Sequence, residues 1–372
     1  MTDRVADWMG LVHDLYPPAH AESWDSVGLQ VGDPAWPVDR VVVALDVTSD
    51  VIAEAATAPG TLVLAHHPLL FRPLGRLTPD TASGRIALAA ASQRVAVAAA
   101  HTNLDVADDG AGTSDPVVRV LGLTDVRPLV GEVRDGRRCK LVTFVPEADV
   151  PAVLDALAAA GAGTIGDYDR CAFSVVGTGT FRPGPGTTPH VGEVGVANDV
   201  VEHRVEMELP RSCAGAVITA LLDAHPYEEV AYDLVPLLDG GTHGLGRVGR
   251  LEQPTALRAL AARIRDELPA PHLRWAGEPD RVVHTVSVCG GAGDSLIGAA
   301  LGAGADVFVT GDLRHHVTLD ALELGMGMVD AGHHATEQAA MPTWITRLRA
   351  AATERGLTAP VLASGVATSP WR

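Results

Sequence analysis

The chain has 372 residues, 47% hydrophobic, 20% charged and 4% aromatic, which suits two or three domains with buried cores and is too apolar for a disordered protein. With 28 Lys+Arg against 46 Asp+Glu, the formal net charge is −18; this leaves no basic footprint for a phosphate backbone and argues against double-stranded nucleic acid as a partner. No run approaches about 18 uncharged apolar residues, so no membrane span is expected, and the acidic opening residues do not read as a secretory signal.

In chain order, residues 40–46 and 61–65 are short, rich in β-branched or aliphatic side chains and bounded by polar residues, so they predict buried strands. Between them an Ala-rich stretch, 49–58, predicts a helix capped by Ser49 or Asp50, and 86–91 and 95–100 predict a further helix and strand. Such alternation points to a parallel α/β sheet. The texture changes after Pro128. Strands are predicted at 140–146, 172–180, 203–209 and 229–236, with helices at 150–160 and 212–224 and a Gly/Pro-rich segment at 182–192. The order β-α-β-β-α-β is ferredoxin-like. The last third returns to the texture of the first, and its strands at 282–289, 307–310 and 326–330 run into Gly290-Gly291-Ala292-Gly293, Gly311-Asp312 and Ala331-Gly332-His333. The expected fold class is therefore α/β, a discontinuous α/β domain from both chain ends (1–127 and 246–372) interrupted by a ferredoxin-like α+β insert (128–245).

The four cysteines, Cys139, Cys171, Cys213 and Cys289, form no Cys-x-x-Cys pair. They read as reduced, mostly buried thiols of a cytoplasmic protein, and sulfur-ligated zinc is not expected. Seven of the fifteen histidines fall in four clusters: His66-His67, His101, His315-His316 and His333-His334. Three clusters directly follow a predicted strand, where open α/β sheets form their ligand crevice. Taken singly, each has a plain alternative. His66-His67 fits a surface turn before Pro68. His101 to Asp105 fits an Asn/Asp-stabilised turn. His333 and Glu337, at i and i+4 on one helix face, fit a carboxylate placed near a helix start. Together, His66, His67, Asp105, His333 and Glu337 offer three imidazoles and two carboxylates, too many for one tetrahedral ion and suited to two divalent ions per chain. Mixed nitrogen and oxygen ligation fits zinc, manganese, iron or nickel alike.

These motifs resemble, in order and over nearly the whole chain, the GTP cyclohydrolase I type 2 homologue family of NGG-interacting-factor-like dinuclear metal proteins. The resemblance lies in Trp24-Asp25-Ser26-Val27-Gly28-Leu29-Gln30-Val31-Gly32, His66-His67-Pro68-Leu69-Leu70-Phe71, His101-Thr102-Asn103-Leu104-Asp105, Gly290 to Gly293, Gly304-Ala305-Asp306 to Asp312, and Asp330 to Glu337. The insert, with His225-Pro226-Tyr227-Glu228-Glu229-Val230 and Gly244-Leu245-Gly246-Arg247-Val248-Gly249, is similar to the PII/CutA-like domain of longer members. The resemblance implies metal ligation by His66, His67, Asp105, His333 and Glu337. It places His101 and His316 beside the ligands, with direct ligation as the alternative, and gives His334 no role. An imidazole titrates near working pH, so His101 or His316 is expected to shuttle protons. It implies a small-molecule, possibly nucleotide, substrate and a toroidal homohexamer built as a trimer of dimers. The implied reaction is hydrolytic opening of the guanine imidazole ring of GTP by a metal-activated water. A phosphoesterase, or a non-catalytic regulator sensing a ligand through the insert, are the alternatives. Residues 109–115 depart from the family pattern and are expected at the pocket mouth. Trp24 and Trp36 read as core or interface packing, Tyr227 to Glu229 as an inter-subunit contact or a ligand pocket, and the tail after Ala359 as poorly tied down.

Overall fold

The computed structural model describes residues 3–268 and 270–371, except for the side chains of 132–137 and 238–242. The chain forms two compact units, one of Met1–Glu132 with Thr242–Arg372 and one of Val133–Gly241.

The first stretch gives α1 (Val5–Leu15), β1 (Gly28–Val31), β2 (Arg40–Ala44), α2 (Ser49–Ala55), β3 (Thr61–Ala65), α3 (Ala82–Ser92), β4 (Ala96–Ala99), α4 (Thr102–Asp105) and α5 (Asp115–Leu121). The chain then follows β5 (Leu123–Pro146), α6 (Val150–Ala159), β6 (Phe173–Phe181), β7 (Asn198–Pro210), α7 (Ala214–Ala224) and β8 (Tyr232–Ala256). It ends with α8 (Leu257–Glu267), β9 (Arg274–Ala276), β10 (Val282–Ala292), α9 (Ile297–Gly302), β11 (Val307–Gly311), α10 (His315–Glu323), β12 (Gly327–Asp330), α11 (His333–Gln338), α12 (Met341–Arg355) and β13 (Val361–Ala363).

The first unit contains two sheets. One has the order β1-β4-β3-β2-β13, parallel except for β1. Its central strands are apolar at nearly every position because helices cover both faces. Trp8 and Leu11 of α1 and Trp344 and Leu348 of α12 pack on one face, and Val51, Ile52 and Ala90 of α2 and α3 on the other. The cap of α2 is Thr48, one residue before the expected Ser49 and two before Asp50; its hydroxyl accepts from the Val51 amide at 3.2 Å. In the other sheet β10, β11 and β12 run parallel, flanked by antiparallel β8 and β9. The tail, expected to be loose, is fixed instead. β13 extends the first sheet, Ser364 bonds Glu54, and Thr368 bonds Asp46 at 2.5 Å.

The second unit has its strands in the order β6-β7-β5-β8, with the pairs β5/β7 and β6/β7 antiparallel. Helices α6 and α7 bury Val153, Leu157, Val217 and Leu221 against Leu141, Val145, Val205 and Met207 on one sheet face. Cys139 and Cys289 are buried, whereas Cys171 and Cys213 are half-buried, fewer buried thiols than expected. Among the described residues no helix is long and apolar enough to cross a membrane.

Candidate metal centre

Every residue of the centre leaves the carboxyl end of a strand in the first unit. His66 and His67 follow β3, still tied by their amides to the Ala44 and Leu45 carbonyls, before Pro68 ends the run. His101 follows β4, and the single turn of α4 ends on Asp105. In the second sheet, β12 runs through Gly332 into α11, which carries His333 and Glu337 on one face. Gly332 has φ +87°, a conformation open to glycine and strained for other residues.

These side chains converge on Glu337. Its Oε1 lies 3.6 Å from His66 Nε2, which is also 3.6 Å from Asp105 Oδ1. Its Oε2 lies 3.1 Å from both His67 Nε2 and His333 Nε2, which are 3.3 Å apart. His101 stands close to the group, its ligand atom within 4.8 Å of those of His66 and His67.

The opposite ring nitrogens decide what the centre can hold. His66 Nδ1 faces the Ala100 carbonyl at 3.0 Å, and the Nδ1 atoms of His67, His101 and His333 face Asp46, Asp25 and Asp312, each at 2.8 Å. Each partner only accepts, so each Nδ1 carries a hydrogen and a neutral ring turns an Nε2 lone pair inward. Carboxylate oxygens and imidazole lone pairs therefore face one another, which is repulsive without a cation or a proton between them. His66 Nε2 and Glu337 Oε2 are buried with no hydrogen-bond partner among the described residues. Ligand atoms around an ion at about 2.0–2.2 Å stand roughly 3.0–3.6 Å apart, so the observed spacings fit divalent ions with nitrogen and oxygen ligands.

Without a metal, protons take that place. Burial alone would push His67 down, but Asp46 and Glu337 raise it to about 10. His333, against the same burial effect, is raised to about 9 by Glu337 and Asp312. His66 is raised by Asp105 and Glu337 despite its burial. Glu337 would rise on burial, yet its three histidine neighbours hold it well below the usual carboxylate range. Gly291, at φ +67°, leaves room for this carboxylate: a Cβ there would lie 2.2 Å from Glu337 Oε1.

Four supporting residues had no assigned role in the sequence reading. Asp25, Asp46 and Asp312 orient the rings, and the Thr113 hydroxyl donates to Asp105 Oδ1 at 2.5 Å. Asp312 does so from φ +56°, unusual for a residue with a side chain. For Asp46 and Asp312 the signal available was an acid just past the end of β2 or β11, on the edge that carries the histidines; Asp25 precedes β1 and carried no such signal. Thr113 belongs to residues 109–115, expected at the pocket mouth. Residues 111–115 are buried instead, with Ser114 accepting from the Gly290 amide and Asp115 paired with buried Arg247. His316 is not brought to the centre; it is exposed at the start of α10 and packs edge-on to His315. Trp24 is 58% exposed, edge-on to Phe71 and His101, whereas Trp36 packs against the core of the first sheet. A cavity of about 1440 Å³ opens beside His67 and His333, with His334 and Trp371 in its wall.

The family model described as Duf34/NIF3 (NGG1p interacting factor 3) matches residues 4–370. A Bacillus subtilis protein named GTP cyclohydrolase 1 type 2 homolog is 41% identical over 326 residues, 87% of each chain. A Mycobacterium tuberculosis protein of the same name is 38% identical over 375 residues, covering 100% of this chain and 97% of its own. The crystal structure of a Bacillus cereus protein related to NIF3 matches with a TM-score of 0.81 and 38% identity, covering 100% of this chain and 99% of that one. A family match along nearly the whole chain, with relatives of this identity and coverage, establishes that the chain belongs to the Duf34/NIF3 family.

Proposed function

We propose that the centre holds two divalent ions and that the chain is a metal-dependent hydrolase which opens the imidazole ring of guanine in GTP. The observation that carries the two-ion reading is the division of the Glu337 carboxylate: Oε1 is directed to His66 and Oε2 to His67 and His333, as a bridging ligand requires. Asp105 completes the His66 side. Two such ions would bring the pKa of a bound water toward neutrality and polarise the atom under attack.

The chain's own residues set up the rest. Asp46 and Asp312 hold His67 and His333 with their Nε2 lone pairs inward, and Thr113 keeps Asp105 an acceptor. His101, with its Nδ1 hydrogen fixed on Asp25, presents Nε2 at the edge of the centre, where it accepts the proton of the attacking water. His316 has no part in this reading. The substrate class rests on the names of the relatives, and the large cavity beside His67 and His333 suits a ligand of nucleotide size. A toroidal homohexamer and a cytoplasmic location belong to the same proposal.

Metal analysis of protein purified without chelators or a His tag is expected to give about two equivalents per chain, lost in the Asp105→Ala, Glu337→Ala double variant. Protein loaded in turn with zinc, manganese, iron and nickel should then release formate from GTP. Absence of formate with all four would refute the ring-opening reaction, and phosphate release from a generic ester would move the assignment to a phosphoesterase. Sedimentation velocity reads the hexamer.

A further inference from the structure

The face of the second unit's sheet that helices α6 and α7 leave uncovered forms one wall of a cavity of about 600 Å³. Its origin is legible in β6. Val175, Gly177, Gly179 and Phe181 alternate onto one face, and the two glycines leave a hollow between the larger side chains. Across the hollow, on β7, Glu202 pairs with Gly177 and leans over Gly179, where a Cβ would lie 2.0 Å from its Oε2. The far wall is pinned by Glu228, which accepts from the Thr188 amide with both oxygens at 3.0 and 3.1 Å.

Glu202 is only 7% exposed. Among the described residues its side chain takes one hydrogen bond, from the Tyr227 hydroxyl to Oε1 at 2.7 Å, and it is in no ion pair. The neighbouring His225 does not compensate it. His225 Nε2 donates to the Phe144 carbonyl at 2.9 Å and Nδ1 accepts from the Tyr227 amide at 3.1 Å, so the ring is neutral. Burial keeps it neutral by pushing its pKa down. Arg204, the cation in the lining, is bonded to Glu206 at 3.0 Å. A largely buried carboxylate with no ion-pair partner among the described residues thus faces a space walled by Phe144, Phe181 and Tyr227, the last two with ring centroids 6.5 Å apart, and by His190, whose ring centroid is 6.0 Å from that of Tyr227.

A buried carboxylate calls for a cation, and the aromatic wall calls for an apolar one whose charge is spread over carbon. A bare metal ion would need several more oxygen ligands than this wall supplies. An anion would meet Glu202, Glu228 and Glu229 together. We infer that the second unit binds a small organic ammonium ion, its charge on Glu202 and its body against Phe144, Phe181 and Tyr227.

The test is calorimetric titration of the full chain with choline and with benzyltrimethylammonium, beside 3,3-dimethylbutan-1-ol, the uncharged isostere of choline. At least one of the two cations should bind, the neutral isostere being weaker by about tenfold or more. Glu202→Gln should weaken the cation by about tenfold or more. Gly177→Leu, which fills open space while keeping the carboxylate, should abolish binding; it decides the matter if Glu202→Gln fails to fold. No heat from either cation up to millimolar concentration would overturn the inference. So would equal binding of the isostere, or binding unchanged in the folded variants.

Discussion

Metal uptake at this centre must expel protons. In the metal-free protein His67 and His333 are raised to about 10 and about 9 from an ordinary value near 6.5, and their Nε2 atoms stand 3.3 Å apart. At neutral pH at least one proton therefore lies in that contact. An ion can be bound only by the neutral rings, so each proton released makes apparent affinity rise about tenfold per pH unit. The assay is competition for zinc with a chromophoric chelator between about pH 6.5 and 8.5, corrected for the chelator's own protonation. The expected slope of log affinity on pH is about one or more, falling by about one in His333→Ala. The sign for stability follows from the same raised values. In metal-free protein the histidines' contribution is complete below about pH 6.5 and is lost as pH rises through about 9 to 10. Melting temperature of metal-free protein should therefore fall over that window, while metal-loaded protein holds. A flat affinity profile would refute the claim that protons stand in for the ions.

Three further outcomes test the supporting structure. Asp46→Ala removes both the acceptor 2.8 Å from His67 Nδ1 and the anchor of Thr368, and should weaken metal binding about 10- to 100-fold in the same competition assay. Gly291→Ala would put a methyl 2.2 Å from Glu337 Oε1 at φ +67°; it should cost about 1–3 kcal/mol in urea unfolding and lower the metal content. Arg247→Ala strands buried Asp115 and breaks bonds to the Ala107, Gly244 and Gly246 carbonyls, for a loss of about 3–5 kcal/mol in urea unfolding. Adding Asp115→Asn to that variant should recover part of the loss, since it removes the stranded charge.

The residues that converge on the centre sit in short motifs whose spacing is local: His66 beside His67, His101 four before Asp105, His333 four before Glu337. Strand ends and one helical turn place such neighbours without help from the rest of the chain. The orienting residues are a different case. Asp25 serves His101 from 76 positions away, and Asp46 and Asp312 each serve a histidine 21 positions off, so no spacing announces them. His101 and His316 looked equivalent as nearby histidines. The first follows β4 on the edge where His66 and His67 emerge, whereas the second opens an exposed helix.

By itself the sequence determined what local pattern determines: short apolar strands alternating with amphipathic helices, the β-α-β-β-α-β order of the middle third, and the clusters of imidazole and carboxylate at strand ends. Only the tertiary structure decided that the first unit has two sheets, with β13 brought back to pair with β2 across more than 300 residues. Pairing of distant strands depends on which edges remain open once local elements form, and no window of residues encodes that. The same holds for charge. Whether Glu337 is an ordinary helix acid or the shared ligand of two nitrogen groups depends on burying it against His66 and His67, some 270 positions away, where removal from water makes an uncompensated lone pair too costly to leave unfilled.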